Sequence, residues 1–253
     1  MARRATIFSK YNDTINTLRI AGPYEFNKWD GSSNLPDRYD DPLFQGYTAL
    51  GYSLGILGHE ETHAAHFFQR NQPGSWVSLS AHPTVQYIPT HGGKIAVVIF
   101  SDVQKIQTVS KAMFLDVQNV IKTLRADSDI KLIIGISPWG RQQEQKFLDS
   151  HAEGCDVLLG SGPGAGLTSS LSPNRQTLWV RAYSKGRTVS MLQIEHFPSR
   201  TAKFSWRIGK NITSNLLVLN EKVQANSAMQ KTLAPLDTQA KKSDFPRKTS
   251  CGH

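Results

Sequence analysis

The chain has 253 residues, a formal net charge of +9, 39% hydrophobic residues and 19% charged ones. That length supports one substantial core of ordinary soluble balance, and no run approaches the roughly 20 apolar residues that cross a bilayer. The two cysteines, Cys155 and Cys251, are too few for a disulfide framework.

From the start, Met1-Ala2-Arg3-Arg4 is basic, but Ala5 to Lys10 is too short and too polar for the apolar core of a signal peptide. Asn12 to Asp40 reads as one long irregular loop, with Gly22-Pro23, Asp30-Gly31-Ser32-Ser33-Asn34 and Pro36-Asp37 as turn signals. Its aromatics Tyr24, Phe26, Trp29 and Tyr39 either pin the loop to its own domain or offer contacts to a partner. Gly51 to Gly58 reads as strand and loop. The next five residues, His59-Glu60-Glu61-Thr62-His63, formally match the zinc-protease pattern His-Glu-x-x-His, and His66 adds an imidazole. Against a protease, Glu61 puts a charge where such helices usually have none, and the third-histidine position is Gln69.

Lys94 to Ser101 is the clearest strand, and Ser110 to Arg125 sets Met113, Val117, Val120, Ile121 and Leu124 at helical spacing. Ile130 to Ile136 is an unbroken aliphatic run, expected for a strand covered on both faces. A helical segment from Gln142 to His151 and a second buried run, Asp156 to Leu159, follow. This β-α-β order implies parallel neighbours with a right-handed crossover. Gly160-Ser161-Gly162-Pro163-Gly164-Ala165 formally fits a dinucleotide fingerprint, yet Pro173 interrupts its sequel and no acid appears between Gly166 and Ile194. Leu178 to Ala182, Val189 to His196 and Lys203 to Ile208 read as a meander with Trp206 inward. Leu219 to Leu236 has weak helical potential, and Ala240 to His253 reads as an extended tail. The division that follows is one domain over residues 1–219 and a basic tail over 220–253.

The positive charge is scattered. Asn220 to His253 holds six basic residues against three acids, and there is no Arg-rich helix or aromatic nucleic-acid-binding strand. This argues against nucleic acid and for either a solvated basic surface or an acidic protein or lipid partner.

Ser137-Pro138-Trp139-Gly140 and Gly160-Ser161-Gly162-Pro163-Gly164, with Asp41-Pro42-Leu43-Phe44-Gln45-Gly46 and Leu57-Gly58-His59-Glu60 upstream, carry a resemblance. Over roughly Pro42 to His196 the chain resembles the 5′-nucleotidase/UshA-like branch of the calcineurin-like metallophosphoesterases. The resemblance implies an α/β fold, an αββα sandwich of two mixed sheets flanked by helices. It also shows losses. Pro138, Gly162 and Gly164 stand where the family has metal-binding histidines, Asp41 is displaced by one residue, and no Asp-x-His occurs between Ala5 and Leu18. Only His59 and Glu60 keep their register. Proline and glycine offer no lone pairs to ions that polarise a phosphate.

The expectation is therefore a pseudoenzyme without cofactor, an accessory subunit of a larger, membrane-attached protein assembly. Tyr24, Phe26, Trp29, Lys241, Lys242, Arg247 and Lys248 are its candidate contacts. The alternative is a phosphohydrolase with a reduced metal site at His59, Glu60 and His63, helped by Asp41, Asp102 or His91. A third reading is an anion binder in the old cleft. Family resemblance points to the bacterial periplasm, and with no signal peptide visible the cytoplasm stays open beside it. Ser250-Cys251-Gly252-His253 lacks the second cysteine of a haem attachment motif.

Overall fold

The structure, a computed structural model, describes residues 1–11, 17–26, 41–59, 61, 75–103, 108–150, 154–183, 186–199 and 204–243, the last seven as backbone alone. The N-terminal part runs α1 (Ala2–Lys10), β1 (Ile20–Ala21), α2 (Pro42–Leu50), β2 (Leu54–Leu57), β3 (Ser75–Ser78), β4 (Thr84–Thr90), β5 (Gly93–Ile99) and α3 (Lys111–Ala126). The rest runs β6 (Ile130–Ser137), α4 (Arg141–Asp149), β7 (Val157–Gly160), β8 (Leu167–Leu171), β9 (Leu178–Arg181), β10 (Thr188–Ile194), β11 (Ile212–Val218) and α5 (Ser227–Ser243).

The most apolar runs make the centre of a six-stranded mixed sheet, in the order β4-β5-β6-β7-β9-β8. β5 and β6 pair in parallel. Their alternate side chains enter two different cores, Val97, Ile99, Leu132 and Ile134 on one face and Ala96, Val98, Phe100 and Ile133 on the other. A strand buried on both faces needs no polar side, which is why both runs read as continuous aliphatic sequence.

One face of this sheet is covered by α3 and α4. Ser110 caps α3 by accepting the Met113 N–H at 3.2 Å, and Val117, Ile121 and Leu124 form its buried stripe. Phe147 and Leu148 of α4 join that core, above the free thiol of Cys155, which is fully buried. The other face meets a second layer in two pieces, the parallel sheet β1-β2-β3 and the antiparallel hairpin β10-β11. Leu54, Ile56, Leu192, Ile194 and Ile212 of these pieces pack into the inter-sheet core with Trp206, whose Nε1 donates to the Asp156 carbonyl at 2.8 Å. Outside the parallel piece lie α1, α2 and α5, closing a four-layer αββα arrangement. α2 starts at Asp41, whose carboxylate accepts the Leu43 N–H at 2.7 Å ahead of Pro42, and stops at Gly51 in left-handed geometry.

Several elements differ from the sequence reading. Ile20–Ala21 is a strand inside the expected loop, parallel to β2, while residues 12–16 and 27–40, with Trp29 and Tyr39, lie outside the described residues. Phe26 is buried at 4% exposure against Tyr47 and Trp76, so it serves the core and is unavailable to a partner. Among the described residues there is no meander, because β9 belongs to the large sheet while β10 pairs with β11 in a separate hairpin. Phe204 to Arg207 is not strand, although Trp206 does point inward, fully buried. The expected tail contains α5, which docks on α1 and α2 through Met229 and Leu233. Arg247 and Lys248 lie outside the described residues, as do the side chains of Lys241 and Lys242. No helix among the described residues is long and apolar enough to cross a membrane.

Candidate functional site

Parallel strands of both layers end at one cleft of about 2170 Å³, where Gly22 and Tyr24 follow β1, His59 follows β2, Pro138 follows β6 and Gly162 follows β7. Clefts at the carboxyl ends of parallel strands are where α/β folds place their chemistry. The exit loop of β1, Gly22-Pro23-Tyr24-Glu25, lies beyond the Ala5 to Leu18 stretch where Asp-x-His was expected, and it contains neither Asp nor His.

Glu61 organises this first loop. Its buried carboxylate accepts N–H bonds from Gly58 at 2.6 Å, Phe26 at 2.8 Å and Tyr24 at 3.1 Å. Burial raises its pKa, and the three amides oppose the rise. The charge that told against a protease in the sequence is therefore a backbone clamp. Glu60, His63 and His66 lie outside the described residues.

His59 stands exposed at the cleft with its Nδ1 3.5 Å from the Asp102 carboxylate, which is largely buried. Burial raises the Asp102 pKa and His59 opposes it. The other candidates are elsewhere. Asp41 is spent on capping α2. His91 precedes β5 while Asp102 follows it, a strand length of roughly 20 Å apart.

The β6 and β7 loops lock together through their backbones. The Gly140 N–H donates to Ser161 O, Arg141 N–H to Pro163 O and Ser161 N–H to Ser137 O, at 3.1, 2.8 and 2.8 Å. Gly162 has a φ of 72°, and a Cβ there would overlap the Pro138 carbonyl. At Gly164 a Cβ would come within 2.6 Å of the Arg141 Cβ. Trp139 anchors the first loop from beneath, packed on Phe100, Phe114 and Phe147 with its Nε1 donating to Ser101 O at 2.8 Å.

Under the second loop lies a buried ion pair that sequence reading missed. Arg181 at the end of β9 binds Glu144 of α4, and its Nη2 donates to the carbonyls of Ser161, Gly162 and Pro163 at 3.1, 3.0 and 3.1 Å. Glu144 also accepts the Trp179 Nε1 at 2.9 Å. Burial raises the Glu144 pKa, and Arg181 and Trp179 act in the opposite direction. The only sequence trace of this pair was a lone Arg closing an apolar strand.

The chain superposes on the calcineurin-like phosphoesterase YfkN of Bacillus subtilis with a TM-score of 0.60, over 96% of this chain and 90% of that one at 14% identity. The fold is that of a calcineurin-like metallophosphoesterase. It is also similar to the NAD nucleotidase NadN of Haemophilus influenzae (TM-score 0.53, 13% identity, 94% of this chain) and to a 5′-nucleotidase of Candida albicans (0.55, 11%, 95%). It spans 55% and 53% of those two proteins. No family model matches the sequence, and no curated protein matches it significantly. The metallophosphoesterase-like fold implies a pair of divalent ions, and the described residues of the β6 and β7 loops supply no imidazole or carboxylate to hold them. Among the described residues no group of three or more His, Cys, Asp or Glu could hold an ion, and the loops offer glycine, proline and inward-turned carbonyls.

Proposed function

We propose that this protein is a non-catalytic relative of the metallophosphoesterases, acting as an accessory subunit that binds a larger protein assembly. The observation that supports it is the locked pair of loops. The carbonyls of the β7 loop are taken by the Arg181 guanidinium, so a fixed organic cation sits where the fold's two-metal relatives rely on ions. A histidine at position 162 would meet both a positive φ and the Pro138 carbonyl. The proposed contacts to the assembly include, for their charge alone, Lys241, Lys242, Arg247 and Lys248 of the basic C-terminal stretch. Attachment of that assembly to a membrane is part of the proposal.

One observation favours a second reading. His59, oriented by Asp102 at the cleft mouth, is placed as a general acid would be in a phosphohydrolase with a reduced metal site. Assay of the purified chain with AMP and bis(p-nitrophenyl) phosphate, with added Mn²⁺ or Zn²⁺, separates the two. The accessory role predicts turnover no greater than that of His59→Ala, a melting temperature unmoved by EDTA, and co-purification with a partner. Metal-dependent turnover that disappears in His59→Ala would overturn it.

A further inference from the structure

The β7 loop is wound around a positive charge. Gly162 and Gly164 hold φ values of 72° and 111°, which glycine takes without strain, and the chain so wound brings successive carbonyls toward one point. The Arg181 guanidinium occupies that point. Its Nη2 donates to the carbonyls of Ser161, Gly162 and Pro163 at 3.1, 3.0 and 3.1 Å, and its Nε donates to the Ala165 carbonyl at 3.2 Å. Its Nη1 binds the Glu144 carboxylate. One buried cation thus gathers four backbone carbonyls and a carboxylate, with Arg181 1% exposed and Glu144 fully buried.

Charge matters more here than any single hydrogen bond. Nη2 carries two hydrogens and faces three carbonyls, so at least one hydrogen is shared. The Ser161 and Pro163 carbonyls also accept the Gly140 and Arg141 N–H groups at 3.1 and 2.8 Å, and keep those donors without the guanidinium. What these donors do not replace is the positive charge. Carbonyl dipoles converging in a water-excluded place repel one another unless a cation lies among them, and the Glu144 carboxylate alone would add to the repulsion. Backbone carbonyls joined by a carboxylate are also the oxygen set that hard inorganic cations take.

We infer that Ser161 to Ala165, with Glu144, form a cation cage whose resident cation is Arg181 itself. The chain supplies covalently the positive charge that shapes this wall of the cleft, and the cage admits an inorganic monovalent cation once the guanidinium is removed. Glu144 gives the cage one formal negative charge, which a monovalent cation balances as Arg181 does. The inference concerns the loop and does not depend on the accessory role.

The test compares the full chain with Arg181→Ala by hydrogen exchange at the Ser161 and Arg141 amides, which bond Ser137 O and Pro163 O. Chlorides of guanidinium, at a non-denaturing concentration, of potassium and of choline are used at equal ionic strength. In the native chain exchange should be the same in all three, with or without EDTA. In Arg181→Ala both amides should exchange about ten- to a hundredfold faster in choline, and guanidinium or potassium should restore most of the protection. Adding Glu144→Gln to Arg181→Ala should abolish that restoration. Equal rescue by choline would mean screening alone, and no rescue by any salt would mean that the loop needs the shape of arginine; either result overturns the inference. If Arg181→Ala does not fold, Arg181→Lys should keep the two amides protected and Arg181→Met should not, and equal loss in both, unfolding included, would overturn it. A failed rescue sinks the cage even in a chain without turnover, and a successful one supports it even in a chain with metal-dependent turnover.

Discussion

Arg181 is 1% exposed and faces Glu144, which is fully buried, so each charge relies on the other. Removing one member of such a pair typically costs about 3–5 kcal/mol, because the survivor stays buried without its counter-charge. Arg181→Met should therefore lower stability by about that amount in urea titration, and should also free the loop carbonyls it holds. Pairing it with Glu144→Leu should restore much of the loss, since an apolar pair of similar volume avoids the desolvation penalty. This network was illegible in the sequence. Arg181 and Glu144 are 37 residues apart, and only the meeting of β9 with α4 shows that they touch. The loops themselves were legible, because Pro138, Gly162 and Gly164 follow strands that the sequence marks as continuous apolar runs.

At the scale of elements, the central β-α-β was readable because its strands are apolar on both faces and its helix carries one buried stripe. β1, β4, β8 and β11 were not, for they are short or only partly buried and their polar residues resemble loop sequence. α5 was underestimated for a related reason. Its helical pattern is weak and Pro235 interrupts it, so tertiary docking must supply what propensity lacks. Met229, 3% exposed, is the anchor, and with Leu233 it packs beside Gly46 of α2. Met229→Ala should cost about 2–4 kcal/mol and expose Ser227–Ser243 to limited proteolysis before the sandwich itself is cut.

Across the whole molecule, burial raises the pKa of Glu61 and Asp102 together. A carboxyl whose folded-state pKa exceeds its unfolded value contributes stability in full below the unfolded value, and that contribution fades as pH rises through the folded one. These groups should thus make the fold more resistant to urea in mild acid than at neutral pH, over a window opening near the glutamate reference value of 4.5. Glu61→Gln should flatten that slope, and an unchanged slope would show that Glu61 does not set it. Cys155 brings a different use. Its thiol is sealed beneath α4, and burial pushes its pKa up to about 12. Once Cys251 is replaced by serine, a maleimide dye can find no target until the sandwich opens, so the labelling rate becomes an internal clock for global unfolding, with no probe added to the native surface.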